Sequence, residues 1–187
     1  IGMGGAPRAS IEEGQGNLEG AQKIMGNSFS ILLMIAAVLT VVLQLFAEPL
    51  LLTFGASENT IGYAMDYMRI YSLGTVFVLL TLGMNAYITA QGFTTVSMKT
   101  VLIGAGLNMV LDPILIFGLH MGVKGAALAT ICSQAVSMLW VLRFLLGKQT
   151  KWRLRKSDMK LVPSVFLPSL ALGLSPFIMQ STESLLA

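Results

Sequence analysis

Long charge-free apolar runs alternate along this chain with short stretches that hold nearly all of its charge. Ser28–Ala47 carries no charged residue, and Ile70–Met98 carries none after Asp66 and Arg69, which predicts a helix over 61–90. Thr100–Leu119 is apolar except for Asp112, Gly125–Leu142 continues past Arg143 to about Leu146, and Leu161–Thr182 runs charge-free up to Glu183. Crossing ~30 Å of hydrocarbon takes about 20 helical residues, so these runs predict five membrane spans. Residues 1–27 are mixed and glycine-rich, and read as the tail of an earlier span followed by a polar loop. A transmembrane barrel would need segments of about ten residues with alternating polarity. The runs are continuous instead, and the expected fold is an all-α, polytopic helical membrane protein.

Charge placement gives an orientation. Arg8 and Lys23 lie in 1–27, Lys99 in 91–99, and Lys148, Lys151, Arg153, Arg155, Lys156 and Lys160 in 147–160. The intervening loop 48–60 holds Glu48 and Glu58 without Lys or Arg, and 119–124 holds only His120 and Lys124. Cytoplasmic loops are the ones enriched in Lys and Arg, which predicts 1–27, 91–99 and 147–160 on the cytoplasmic side. His120 is then a solvated residue of an outer turn.

Composition agrees with this class. Hydrophobic residues make up 55% of the 187 and charged residues 11%, against about 25% charged in a soluble domain. The net charge of +3 does not indicate nucleic acid, because the basic residues gather between two apolar spans. Cys132, the single cysteine, excludes an internal disulfide and reads as a small packing residue in a helix. A chain that opens on Ile1 and stops at Ala187 inside an apolar run is expected to be a fragment.

Asp112 is the residue with the least excuse. A carboxylate near the middle of a span costs about 2.5–3.5 kcal/mol on insertion scales. Asn108 precedes it by four residues, which puts both on one helix face. Pro113 follows directly and, lacking a backbone N–H, is expected to open the helix around Leu111–Asp112. Oxygen-bearing side chains beside a broken hydrogen-bond ladder suit a Na⁺ or a proton; the alternative is an Asp held by an interhelical hydrogen bond for packing alone. Glu183 follows Pro176, Gln180, Ser181 and Thr182, and its residues alone leave it either interfacial or intramembrane. Tyr67 and Asn85, on one predicted helix, and Thr130 on another read as helix–helix contacts. Asp66 and Arg69, three apart, are expected to pair, and Gly104 and Gly106 to let helices approach closely.

The Gly2, Gly4 and Gly5 cluster is no phosphate loop, since no strand precedes it and no GK[ST] follows. HExxH, a His/Cys cluster and a Ser–His pairing within the spans are all absent from the sequence, so an intramembrane enzyme has nothing to work with and no cofactor is expected. The twelve Met residues are apolar bulk that can also line an adaptable cavity.

Four stretches, GMGGAPRASIEEGQGN, YMRIYSLGTVFVLLTLGMNAYITAQGFTTVSMKT, LNMVLDPILIFGLHMGVKGAALATICSQ and GLSPFIMQSTESLL, occur in this order. On them the chain resembles the multidrug and toxic compound extrusion (MATE) family. The pattern N-x-x-x-D-P followed by G-x-x-G-A-A-x-A-T is the most specific of these. The resemblance implies a lobe of a twelve-helix, two-lobe transporter: 1–146 running from the end of helix two to helix six, 147–160 the cytoplasmic inter-lobe loop, and 161–187 the first helix of the second lobe. It also implies a cation site at Asn108, Asp112 and Thr130 with the Ala126 carbonyl, Na⁺ being one candidate occupant. Tyr67 and Asn85 would join a supporting polar network, Glu183 would match a second-lobe carboxylate, and a further carboxylate would come from a helix outside this chain.

The activity so implied is H⁺- or Na⁺-coupled antiport in the cytoplasmic membrane. Small cationic or amphipathic drugs and xenobiotics would leave as the cation enters, with the full-length protein acting as a monomer in the lipid bilayer. The rival within the same superfamily is a flippase or exporter of lipid-linked precursors or polysaccharide, whose cavity needs clustered Arg or Lys. A second rival is a non-transporting membrane subunit, for which the Asn108–Asp112 pair has no task.

Overall fold

The computed structural model describes residues 1–57 and 59–186; Glu58, counted above with the outer loop, and Ala187 lie outside the described residues. Among the described residues there are eight α-helices and no strand. They are α1 (Gly2–Gly14), α2 (Leu18–Leu45), α3 (Ala47–Thr53), α4 (Ile61–Leu73), α5 (Thr75–Ala90), α6 (Thr94–Pro113), α7 (Val123–Leu146) and α8 (Pro163–Leu186). The helices α2, α7, α8 and α6 with the turn that follows it are each long and apolar enough to cross a membrane. The α4–α5 pair adds a fifth span if its two bent halves count as one.

Residues 1–27 are not an open loop. α1 ends at Gly14, Gly16 turns the chain at φ +82°, and the Asn17 side chain accepts a hydrogen bond from Gly20 N at 2.9 Å. That N-cap satisfies one of the unpaired donors of the next helix, so residues 18–27 form the first turns of α2. Their apolar members Ile24 and Met25 are buried rather than solvated.

The helix predicted over 61–90 is broken. α4 and α5 meet at Gly74 with a bend of 51°. At Gly74 the chain presses against α7: a Cβ there would lie 2.6 Å from Ile131 Cγ1. A glycine inside an apolar run gives the pattern no interruption, so periodicity alone cannot place this bend.

The ladder opens at Ile114, after Pro113 and two residues past Asp112, rather than at Leu111–Asp112 as expected. α6 stays helical through Leu111–Asp112 and then widens into a π-helical turn over Ile114–Gly118, closed by Leu119 N donating to Ile114 O at 2.9 Å. The missing N–H of proline loosens the ladder behind it. α7 seats against this turn, where a Cβ on Gly125 would lie 2.8 Å from the Leu115 carbonyl oxygen.

The best-packed region lies where α1, α2, α5 and the end of α7 meet, around Ala9, Met25, Met84, Tyr87, Ile88 and Leu145. Small residues let these helices touch: Gly5 faces the Tyr87 hydroxyl, which shares a 2.6 Å hydrogen bond with Ser28 Oγ, and Gly4 meets the backbone of α8 at Ser169 and Gly173. Arg8 ties α1 to α8 by donating to Val165 O at 2.6 Å and Ser169 Oγ at 2.9 Å. Elsewhere the helices present large exposed apolar side chains, among them Val38, Met109, Leu139 and Phe177, as lipid-facing surfaces do.

The segment 147–160 is docked rather than free. Gln91 Oε1, at the end of α5, accepts from Thr150 Oγ1 at 2.7 Å, Lys151 N at 2.9 Å and Trp152 N at 3.0 Å. Trp152 is fully buried and meets Tyr87 edge-on, with ring centroids 6.4 Å apart. On α2, Asn27 Nδ2 donates to Asp158 O at 3.1 Å, and Asn27 Oδ1 accepts from Val162 N at 2.8 Å.

Candidate cation-binding site

The site grows from two polar stripes at helical spacing. Thr100, Gly104, Asn108 and Asp112 recur every four residues along α6, and Thr130, Ser133, Gln134 and Ser137 share one face of α7. The stripes face each other: Ser137 Oγ donates to Thr100 O at 3.2 Å, and Thr81 Oγ1 on α5 donates to Gln134 O at 3.4 Å. Between α5, α6 and α7 lies a cavity of about 240 Å³, lined by these residues except Asp112, together with Thr81 and Asn85, and without a single charged side chain.

At one end of this cavity the four expected ligands come together. Asn108 Nδ2 lies 3.4 Å from Asp112 Oδ1 and 3.5 Å from Thr130 Oγ1, and Thr130 Oγ1 donates to the Ala126 carbonyl at 3.0 Å. The Asn108 contacts sit at the long end of hydrogen-bond range, leaving a loose, open ring of polar groups from two helices in which Asn108 turns its amide nitrogen to both Asp112 and Thr130. Asp112 Oδ2 accepts no hydrogen bond among the described residues. Asp112, Asn108, Ala126 and Thr130 are all half-buried, and Asp112 stands beyond the cavity wall, one turn past Asn108.

The donor set fits a monovalent cation or a proton better than a tightly held divalent metal. It offers one carboxylate with hydroxyl, amide and carbonyl oxygens, and no group of three His, Cys, Asp or Glu residues gathers among the described residues.

Other expected positions fall elsewhere. The Gly74 bend separates Tyr67 on α4 from Asn85 on α5, so the two do not share a helix as predicted. Asn85 Nδ2 donates to Ser97 O at 3.3 Å while its buried Oδ1 has no partner; Tyr67 stacks on Tyr71 at 5.6 Å and does not line the cavity. Glu183 is exposed near the end of α8. Asp66 pairs with Lys124 at 3.3 Å, not with Arg69, because the start of α7 lies beside the outer end of α4. Gly104 packs closely, against Ser137, but Gly106 faces open space, and Cys132 is exposed on α7 rather than packed inside. The sequence pattern alone did not single out Thr100, Ser133, Gln134 and Ser137, although their helical spacing, eight residues from Asn108 and three, four and seven from Thr130, was there to read.

The chain is thus a helical membrane protein with a neutral polar cavity and one carboxylate at the cavity's end. The MatE family model matches residues 1–114; the chain belongs to the MatE family. Multidrug export protein MepA of Staphylococcus haemolyticus (strain JCSC1435) is 32% identical over 155 residues, covering 82% of this chain and 34% of that protein. The chain thus spans about a third of the length of the curated relatives it matches. An inward-facing structure of a multidrug resistance MATE family transporter of the MOP superfamily superposes with TM-score 0.87 at 26% identity, over 92% of this chain and 40% of that one. The outward-facing structure of such a transporter gives 0.83 at 26% identity, over 90% and 38%. The family and the apolar helices together make this a multi-pass protein of the plasma membrane.

Proposed function

We propose that this chain is the cation-binding part of an H⁺- or Na⁺-coupled antiporter that exports cationic or amphipathic drugs. The observation that carries this reading is the ring formed by Asp112, Asn108, Thr130 and the Ala126 carbonyl, at the end of a cavity otherwise free of charge. Asp112 is the carboxylate that takes the proton or Na⁺; the Thr130 hydroxyl, the Ala126 carbonyl and the Asn108 amide, rotated to present its oxygen in place of its nitrogen, complete the shell. Because the ring joins α6 to α7, a bound cation pulls the two helices together and biases one of two lobe arrangements, which is how a ligand moves an equilibrium. The likeness to both an inward-facing and an outward-facing relative supports a lobe that keeps its internal packing as transport proceeds.

The division into a first lobe at 1–146, a connecting segment at 147–160 and the opening helix of a second lobe at 161–187 belongs to the same reading. So do a monomeric full-length protein and the absence of enzymatic chemistry. A flippase for lipid-linked precursors is less well supported, because the cavity that adjoins Asp112 between α5, α6 and α7 has no Lys or Arg to hold pyrophosphate, the nearest such cluster lying at the opposite end of α6 and α7. The test is dye efflux from liposomes holding the full-length protein under an imposed H⁺ or Na⁺ gradient. Gradient-driven efflux of several unrelated cationic dyes is expected; efflux indifferent to both gradients overturns the proposal.

A further inference from the structure

A larger cavity, about 470 Å³, opens at the other end of α6 and α7, away from Asp112. Its wall includes Lys99 near the start of α6, Arg143 in the last turn of α7, and Lys148 just beyond. The three cations are exposed, and none forms an ion pair among the described residues, whereas Lys23, Lys124 and Lys151 each do. Three unpaired positive charges around one concavity repel one another unless an anion joins them. The rest of the wall holds two aromatic residues, Trp140 and Phe144, with Val96, Gly147 and Gln149. Phe144 is held edge-on by Phe93 at 5.1 Å, and Trp140 carries an indole N–H with no acceptor.

The surroundings indicate which anion. Three residues on from Lys99 and four back from Arg143, which puts them on the same helix faces, stand the apolar side chains of Leu102 on α6, 61% exposed, and Leu139 on α7, 60% exposed. A charged rim, an aromatic collar and an apolar track below them repeat the layers of a membrane interface, where Trp sits at headgroup depth. A soluble anion uses only the rim. A phospholipid uses all three, with its phosphate among the cations and an acyl chain along Leu102 and Leu139.

We propose that the Lys99–Arg143–Lys148 cavity is a binding site for the phosphate headgroup of an anionic phospholipid of the leaflet that contacts this end of the lobe. The site is independent of the Asp112 ring and of the exported solute.

The test uses the full-length protein in detergent, titrated with phosphatidylglycerol, phosphatidylcholine or inorganic phosphate, with lipid retention read by native mass spectrometry. Phosphatidylglycerol should be retained about tenfold or more over phosphatidylcholine, since basic residues at the interface attract anionic headgroups. The triple substitution Lys99→Gln, Arg143→Gln, Lys148→Gln should remove that preference. Lys124→Gln, Lys156→Gln, Lys160→Gln, which removes the same charge elsewhere, should keep it. Each single substitution in the cavity should lower retention in part, and this series decides the matter if the triple variant fails to fold. Equal loss in the control triple, no preference in the wild type, or displacement of the lipid by equimolar inorganic phosphate would each overturn the proposal.

Discussion

Asn108 Nδ2 and Thr130 Oγ1 stand 3.5 Å apart across the α6–α7 boundary, the one side-chain link between helices within the cation ring. The other links, Asn108 to Asp112 and Thr130 to Ala126, each join residues four apart on one helix. In the proposed antiport this pair links the two helices and Asp112 supplies the carboxylate. Asn108→Ala and Thr130→Ala should each reduce cation-driven efflux partially and leave the protein folded, since polar contacts of this kind in membranes average about 0.6 kcal/mol. The double substitution should cost less than the two single losses added together, because both remove the same link. Strictly additive losses in a double-mutant cycle would mean that the two side chains act separately.

Gln91 holds the 147–160 segment by one oxygen. Replacing it with Ala strips the acceptor from the Thr150 hydroxyl and from two backbone N–H groups, Thr150 and Trp152 being buried. A buried donor left unsatisfied costs about 1–3 kcal/mol. Gln91→Ala should lower the melting temperature and expose the bonds after Lys151 and Arg153 to trypsin. Gln91→Glu, which keeps the acceptor, should protect them. Trypsin resistance in Gln91→Ala equal to the wild type would show that Trp152 packing and the Asn27 contacts hold the segment without Gln91.

Two glycines separate close approach from coincidence. Gly125 faces the Leu115 carbonyl with no room for a side chain, whereas nothing lies within 4 Å of a Cβ built on Gly106. Gly125→Val should push α7 off the π-helical turn and cost about 1–3 kcal/mol, the usual range for overpacking. Gly106→Ala should be neutral or slightly stabilising, because alanine restrains the unfolded chain. Detergent melting curves of the two variants check both; equal effects would refute the seating of α7 on the turn.

Orientation follows from charge bias and can be read chemically. In a Cys132→Ser background, cysteines placed at Asn59 and at Gln149, both exposed, should label oppositely with an impermeant thiol reagent. In intact cells Asn59→Cys should react and Gln149→Cys should not. The reverse result would invert the assignment of 147–160 to the cytoplasm.

The helices were legible because lipid demands long apolar runs, and Asp112 with Asn108 because a carboxylate and an amide four apart inside such a run are costly. What stayed hidden depends on tertiary neighbours. The bend at Gly74 falls where Ile131 of α7 leaves no room for a side chain, and Asp66 finds Lys124 because α7 starts beside α4. Lys99, Arg143 and Lys148 form one rim although loops and two helices separate them along the chain. Spacing within one helix reveals a face, but not what that face meets.

Asp112 gives the decisive prediction. Asp112→Asn exchanges a carboxylate for a nearly isosteric amide, and Asp112 is only half-buried with one long hydrogen bond, so the fold should persist. The amide neither titrates in the working range nor carries a full negative charge. Cation-driven dye efflux should therefore fall to the rate of protein-free liposomes under both H⁺ and Na⁺ gradients, at matched protein amounts. Asp66→Asn is the control: its pair with Lys124 is roughly half-exposed on both sides, and such pairs are worth about 0–1 kcal/mol. It removes the same charge without touching the ring, so efflux should stay near the wild-type rate. Wild-type efflux from Asp112→Asn under both gradients would make Asp112 a packing residue and remove the cation site from this lobe.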